Sequence, residues 1–134
     1  MKVVYVVAAA LFDSDGRILL AQRPEGKSMA GLWEFPGGKI EQNERPEQAL
    51  TRELEEELSI TVSEPDLYPL TFASHAYESF HLLMPLYGLR RWMGTPRPTE
   101  GQKLAWVAPE DLCTYPAPAA DIPLFEALMS RDEV

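Results

Sequence analysis

The sequence predicts an α/β fold, a mixed β-sheet packed between helices as an α/β/α sandwich. Three observations carry that prediction. Runs rich in β-branched and aromatic residues recur along the chain, two segments of helical period interrupt them, and Pro- and Gly-bearing stretches separate one from the next. Strands interspersed with helices place the helices on the faces of a sheet.

Val3 to Phe12, rich in valine and alanine, reads as the first strand, and Asp13-Ser14-Asp15-Gly16 turns the chain into a second at Arg17 to Gln22. The two are expected to form a hairpin. Pro24, Gly26 and Gly31 make Pro24 to Gly31 a surface loop bordering a pocket, and it leads to Trp33-Glu34-Phe35. Pro36-Gly37-Gly38 predicts irregular backbone whose unpaired carbonyls and amides face a metal or a phosphate. A helix begins near Pro46, since proline suits the first helical position, and ends near Leu58. Leu67 to Tyr77 and Phe80 to Trp92 read as strands, with Pro85 marking an edge or a bulge. Gly94 to Gln102 is a proline-containing loop and Leu104 to Ala108 a further strand. Asp121 to Met129 closes the reading as a helix, with Asp121 near its N-cap and Pro123 early.

With 134 residues and 46% hydrophobic content, the chain suits one domain over residues 1–134 that buries roughly two-thirds of its unfolded surface. No stretch approaches the ~20 apolar residues of a membrane span, and Met1-Lys2-Val3 begins a strand-like run without a signal pattern, so a cytoplasmic location is expected. Cys113 is the one cysteine, which excludes an intrachain disulfide and suggests a small apolar filler. A net charge of −9 argues against a polynucleotide partner but not against a free nucleotide, because metal ions invert the potential of an acidic pocket. His75 and His81 alternate with apolar residues and read as strand histidines rather than ligands. Tyr77, Phe80, Trp92 and Trp106 are core candidates, one or two of which could stack on a base.

Chemistry concentrates in one segment. Gly38, Glu44, Arg52, Glu53, Glu56 and Glu57 follow the spacing G-x5-E-x7-R-E-L-x-E-E. At about 100° per residue, Glu53, Glu56 and Glu57 fall within an arc of about 100°, next to a stripe of Leu50, Leu54 and Leu58. The helix can therefore bury its leucines and present its glutamates beside the core. Two carboxylates about 6 Å apart repel by about 3 kcal/mol at an effective dielectric near 20, so a sheltered group of them demands cations. Hard oxygen ligands favour Mg²⁺ or Mn²⁺. A solvated acidic helix is the ordinary reading of such runs, yet this spacing should arise by chance in only on the order of one chain in a million.

Gly38 to Ile60 resembles the Nudix box, which ends R-E-apolar-x-E-E-x-G-apolar; Ser59 stands where the box has glycine. That position often takes a left-handed backbone, where a non-glycine costs about 1 kcal/mol. The resemblance extends to MutT-type pyrophosphohydrolases through Ala21-Gln22-Arg23, Leu32 to Lys39 and Glu100-Gly101-Gln102. It implies the Nudix-type α/β/α sandwich and a reaction in which water attacks the β-phosphorus of a nucleoside triphosphate. It also implies metal ligation by Glu53, Glu56, Glu57, Glu100 and the Gly37 carbonyl, and contact with nucleotide or phosphate by Arg23, Glu34, Phe35, Lys39 and Asp121.

Glu53 and Glu100 compete for the role of general base, with Glu53 preferred. Arg52 lies about 100° behind Glu53 and is expected to orient a glutamate, with Glu44 as partner, unless it is an ordinary exposed arginine. Lys39 is a candidate to stabilise the leaving group. Arg23 has the alternative of a solvated strand end. Asp121 occupies the position where the best-known MutT-type enzyme carries an asparagine that reads 8-oxoguanine. A carboxylate there accepts from the N7–H of oxidised guanine, but equally from the amino group of cytosine, or it caps its own helix. The leading expectation is 8-oxo-dGTP hydrolysis. The alternatives are hydrolysis of CTP, dCTP or 5-methyl-dCTP, and a noncatalytic nucleotide sensor. A monomer or weak dimer is expected.

Overall fold

The computed structural model describes residues 1–130, so the last four residues of the span read as one domain lie outside the described residues. Strands β1 (Val3–Leu11), β2 (Ile18–Gln22), β3 (Trp33–Glu34) and β4 (Gly37–Lys39) precede helix α1 (Pro46–Leu58). A short 3-10 turn (Glu64–Asp66) leads to β5 (Tyr68–Ala76), β6 (His81–Leu89) and β7 (Lys103–Val107). A second 3-10 turn (Pro109–Thr114) precedes helix α2 (Ile122–Met129).

The strands form two sheets among the described residues rather than one. The first is mixed, in the order β4-β1-β6-β5, with β1 and β6 parallel; the second is antiparallel, in the order β3-β2-β7. The expected hairpin survives only as a turn. Asp13 Oδ1 accepts from the Asp15 and Arg17 amides and Phe12 bridges Ile18, after which β1 and β2 enter different sheets. The available partners explain the divergence: β1 is paired on its two edges by β4 and β6, and β2 by β3 and β7, so neither strand has an edge left for the other.

Alternation along β1 sorts the core into two layers. Val7, Ala9 and Leu11 join Leu19 and the α1 residues Ala49, Leu50, Leu54 and Leu58. Ala8, Ala10 and Phe12 join Ile18, Leu20 and the α2 residues Leu124, Phe125 and Leu128. Helices thus cover both faces, as the sandwich requires. Leu50, Leu54 and Leu58 are fully buried, and each contributes about 1.5–3 kcal/mol of burial free energy.

Helix α1 spans the residues its sequence signals mark, opening on Pro46 and ending before Ser59, whose φ of 59° is left-handed. Pro36-Gly37-Gly38 departs from the irregular backbone expected of it: Gly37 to Lys39 pair with Ala8, Val7 and Val6 of β1. That approach requires glycine, since a Cβ at Gly37 would fall on the Val7 carbonyl oxygen. Pro85 lies in an interior strand, not at an edge. The β1 pairing passes over Val6 and Val7, opposite Met84 and the proline that lacks an N–H, and the bulge sits in β5 between Pro69 and Thr71.

Cys113 is exposed, contrary to the filler role, because Leu112 is the residue its 3-10 turn buries. His75 packs against Tyr77 and His81 bonds Ser74, both within the β5–β6 region. Trp92 and Trp106 stack on each other and pack, partly buried, against the α1-side core. Among the described residues no helix is long and apolar enough to cross a membrane.

Candidate active site

Strand β4 lies against α1, and this contact builds the site. A Cβ at Gly38 would overlap the Glu53 carboxyl carbon, so the absence of a side chain there makes room for that carboxylate. One turn on, Glu57 Oε2 accepts from the Gly37 amide at 3.3 Å. The glycines therefore admit both glutamates to the β4 backbone, and the leucine stripe on the neighbouring face of α1 holds the helix down.

Arg52 organises the glutamates from behind. Its Nε and Nη2 make a bidentate pair with Glu44 at 2.8 and 3.0 Å, its Nη1 reaches Glu53 at 3.1 Å and Glu56 at 3.4 Å, and Nη2 also donates to the Lys39 carbonyl. The arginine is held, not solvated. Its hydrogen bonds, with one from the Glu41 amide, hold the Glu44 carboxyl down at about 2, so Glu44 is a permanent anion that fixes the guanidinium. Glu56 is more than half exposed and leans towards Arg52 at the rim.

Glu57 has the opposite environment. Burial, and then repulsion from Glu34, Glu100 and Glu53, pushes its carboxyl up to about 8, against the Gly37 N–H that lowers it. Burial likewise raises Glu53, where Arg52 opposes the effect and Glu56 and Glu100 add to it. Glu53, Glu57, Glu100 and Gly37 line a cavity of about 180 Å³ together with Glu34, Arg23, Lys27 and Gln102.

A second hollow of about 360 Å³ adjoins it, with Arg23 and Glu34 in both walls. Tyr77, Phe80, Leu82 and Met84 give it an apolar lining, and Lys39 and Asp121 add charge. Tyr77 and Phe80, read as core or base-stacking candidates, stack with centroids 5.0 Å apart and form part of a wall, while Tyr77 also packs against the core. Arg23 Nε is 3.1 Å from Glu34 Oε2 but off the N–H direction, which leaves it a buried donor without an acceptor.

Asp121 is 5% exposed and does not cap its helix. It has helical dihedrals itself, and its Oδ2 accepts from the Phe35 amide across the sandwich at 3.3 Å. Burial, followed by repulsion from Glu34, raises its carboxyl to about 7. Phe35 contributes that amide; its ring is buried edge-on against Phe125.

The structure thus brings Gly37, Glu53, Glu57 and Glu100 together and sets Arg23, Glu34, Lys39 and Asp121 beside them. Lys39 is exposed, lines the apolar hollow and is not part of the acidic cavity wall, where Lys27 stands. Sequence reasoning overlooked Lys27, one residue in a loop without periodicity, and assigned no role to Gln102. The donor set suits a small hard dication, being carboxylate oxygens whose mutual repulsion an ion would relieve. As the side chains stand, no three acidic, thiol or imidazole groups among the described residues enclose an ion, and Arg52 hydrogen-bonds both Glu53 and Glu56.

The family described as NUDIX domain matches residues 7–127. A protein of Escherichia coli (strain K12) named CTP pyrophosphohydrolase is 45% identical over 132 residues, covering 97% of this chain and 94% of that protein. An 8-oxo-dGTP diphosphatase of Haemophilus influenzae is 36% identical over 130 residues, covering 97% and 94%. Among solved structures, the E. coli ORF135 protein superposes with a TM-score of 0.84 at 41% identity, covering 97% of this chain and 91% of that one. A MutT structure from work on Aliivibrio salmonicida and Vibrio cholerae gives 0.82 at 36%, covering 96% and 98%.

Proposed function

The chain belongs to the Nudix family of hydrolases, and on that premise we propose that it is a magnesium-dependent pyrophosphohydrolase of free nucleoside triphosphates, with 8-oxo-dGTP as leading substrate. One observation carries the reading: Glu53, Glu57 and Glu100 share a cavity wall with Arg23 and Lys27. Oxygens suited to a dication stand beside cations suited to phosphate.

In the proposed reaction a water attacks the β-phosphorus. The bond from that phosphorus to the oxygen bridging it to the α-phosphorus breaks, and its electron pair leaves with the nucleoside monophosphate; pyrophosphate is the other product. Glu53 takes the proton of the attacking water. Glu53, Glu56, Glu57, Glu100 and the Gly37 carbonyl are the ligands proposed for Mg²⁺, or Mn²⁺, which supplies charge neutralisation and a lowered pKa for bound water. Arg52, anchored on Glu44, sets the orientation of Glu53 and Glu56. Arg23, ion-paired to Glu34 in the wall shared by the two hollows, offers its guanidinium to a phosphate or base oxygen, and Lys39 borders the hollow in which the nucleoside would lie.

Asp121 supports base reading by its near-neutral carboxyl. In its protonated form it presents one donor and one acceptor, as an amide does, and so matches the O6 and N7–H edge of 8-oxoguanine. Removal of that nucleotide would keep oxidised guanine out of DNA synthesis. The second reading, a cytosine triphosphate, is favoured by the 45% identity to a CTP pyrophosphohydrolase, and the same carboxyl also matches the N3 and amino group of cytosine.

A kcat/KM panel of 8-oxo-dGTP, dGTP, CTP, dCTP and 5-methyl-dCTP decides between them; preference for the cytosine nucleotides rejects the first. Glu53→Gln should lower magnesium-dependent pyrophosphate release by about 10²–10⁴-fold. Nucleotide binding without turnover in the wild type would overturn the enzymatic reading in favour of a sensor. The acidic surface fits a free nucleotide rather than a polynucleotide, and one domain acting as a monomer or weak dimer completes the proposal.

A further inference from the structure

The loop between β6 and β7 ends in a hydrogen-bonded structure that the reaction described above does not use. The last carbonyls of α1 have no amide ahead of them in the helix, and the loop takes the place of the missing turn. The Arg97 amide donates to the Leu58 carbonyl at 2.9 Å, Thr99 Oγ1 donates to the Glu56 and Glu57 carbonyls at 2.6 and 2.9 Å, and Gln102 Nε2 donates to the Glu57 carbonyl at 3.0 Å. Gln102 Oε1 in turn accepts from the Glu100 amide at 2.8 Å. Gln102 is 7% exposed, while its neighbours Glu100, Gly101 and Lys103 are exposed. Gly101, at φ 79°, supplies the left-handed residue that folds this side chain back on the Glu100 amide.

From this we infer that Gln102 is a positioning residue: its amide ties the backbone of Glu100 to the helix turn that carries Glu57, and so sets the distance between two carboxylates on different elements. The inference rests on Glu100 belonging to the active site as proposed. The physical need is plain. Glu57 sits on a helix anchored by buried leucines, whereas Glu100 sits in an exposed loop whose ordering entropy must be met before its carboxylate can act. One buried primary amide meets it by bonding the Glu57 carbonyl, which Thr99 also serves, and the Glu100 amide together. Thr99 contributes to the same attachment from the solvent side.

The test is a double-mutant cycle on the full chain, with 8-oxo-dGTP and CTP as substrates at saturating Mg²⁺. Gln102→Met keeps the length and removes both hydrogen bonds, and should lower kcat by about 10- to 100-fold with KM changed little, the loss typical when a residue that orients a ligand is removed. In a Glu100→Gln background the same change should cost less than about threefold, because the carboxylate it positions is already gone. Equal losses in both backgrounds would mean a structural role alone and would overturn the inference while leaving Glu100 in the site. An unchanged kcat in Glu100→Gln itself would overturn the placement of Glu100, and the inference with it. If Gln102→Met fails to fold, Thr99→Val is exposed enough to be tolerated and should show the same non-additivity with a loss of about threefold.

Discussion

Replacing Glu57 by glutamine should make the metal-free protein more stable at alkaline pH while abolishing its response to magnesium. Glu57 titrates near 4.5 when free and about 8 in the fold, where burial and three neighbouring carboxylates oppose its charge. A folded state that holds its proton more tightly than the unfolded chain is favoured at low pH. Its contribution is complete below about 4.5 and is lost as pH rises through about 8. At about 1.36 kcal/mol per pH unit the whole interval amounts to at most roughly 5 kcal/mol. Water still reaches this partly exposed side chain, so we expect about 1–2 kcal/mol, or roughly 3–10 °C in Tm for a chain of this size. Glutamine keeps an acceptor for the Gly37 amide, so packing is preserved. The assay is thermal melting of wild type and Glu57→Gln in EDTA from pH 5 to pH 9, repeated with 10 mM magnesium. The curves should converge near pH 5 and separate by pH 9 with the variant higher, and magnesium should raise only the wild type. Parallel pH dependence with equal magnesium response would refute both the crowding of Glu57 and its assignment as a ligand.

Three further outcomes follow from particular contacts. Gly38→Ala places a methyl group where the Glu53 carboxylate lies, so steady-state assays should show kcat lower by about 10²-fold, with Tm nearly unchanged because the displaced group is a flexible side-chain end. Asp121→Asn fixes the neutral donor–acceptor pair; as pH rises through about 7 the wild type should lose kcat/KM for 8-oxo-dGTP relative to this variant, and identical pH–rate profiles would exclude the carboxyl from base reading. Ser59→Gly relieves a left-handed residue at the end of α1 and should stabilise the protein by about 1 kcal/mol in urea unfolding, with activity unchanged.

Local chemistry was the legible part of this chain. Pro46 and the leucine and glutamate periods marked where α1 begins and ends, because a helix start, an apolar stripe and a polar face are all written within one stretch of sequence. The pairing of Arg52 with Glu44 was legible because both belong to one fixed spacing of a short segment, in which a guanidinium behind the glutamate array calls for a carboxylate partner. Relations between distant segments were not legible. Nothing in Val3 to Gln22 distinguishes a hairpin from two strands that part company, since both satisfy the same alternation and the choice depends on which partners arrive from elsewhere. Cys113 looked like a filler because cysteine is usually buried, and the register of one 3-10 turn decided otherwise.

By itself, then, the sequence determined the helical platform and its charge, properties carried by residues within a few turns of one another. Tertiary structure alone decided that Gly38 stands aside for Glu53, that Asp121 bonds the Phe35 amide instead of capping α2, and that Gln102 ties the loop of Glu100 to the end of α1. Those decisions depend on burial and on contacts between residues as many as 86 positions apart, and burial is a property of the assembled sandwich that no local stretch of chain contains.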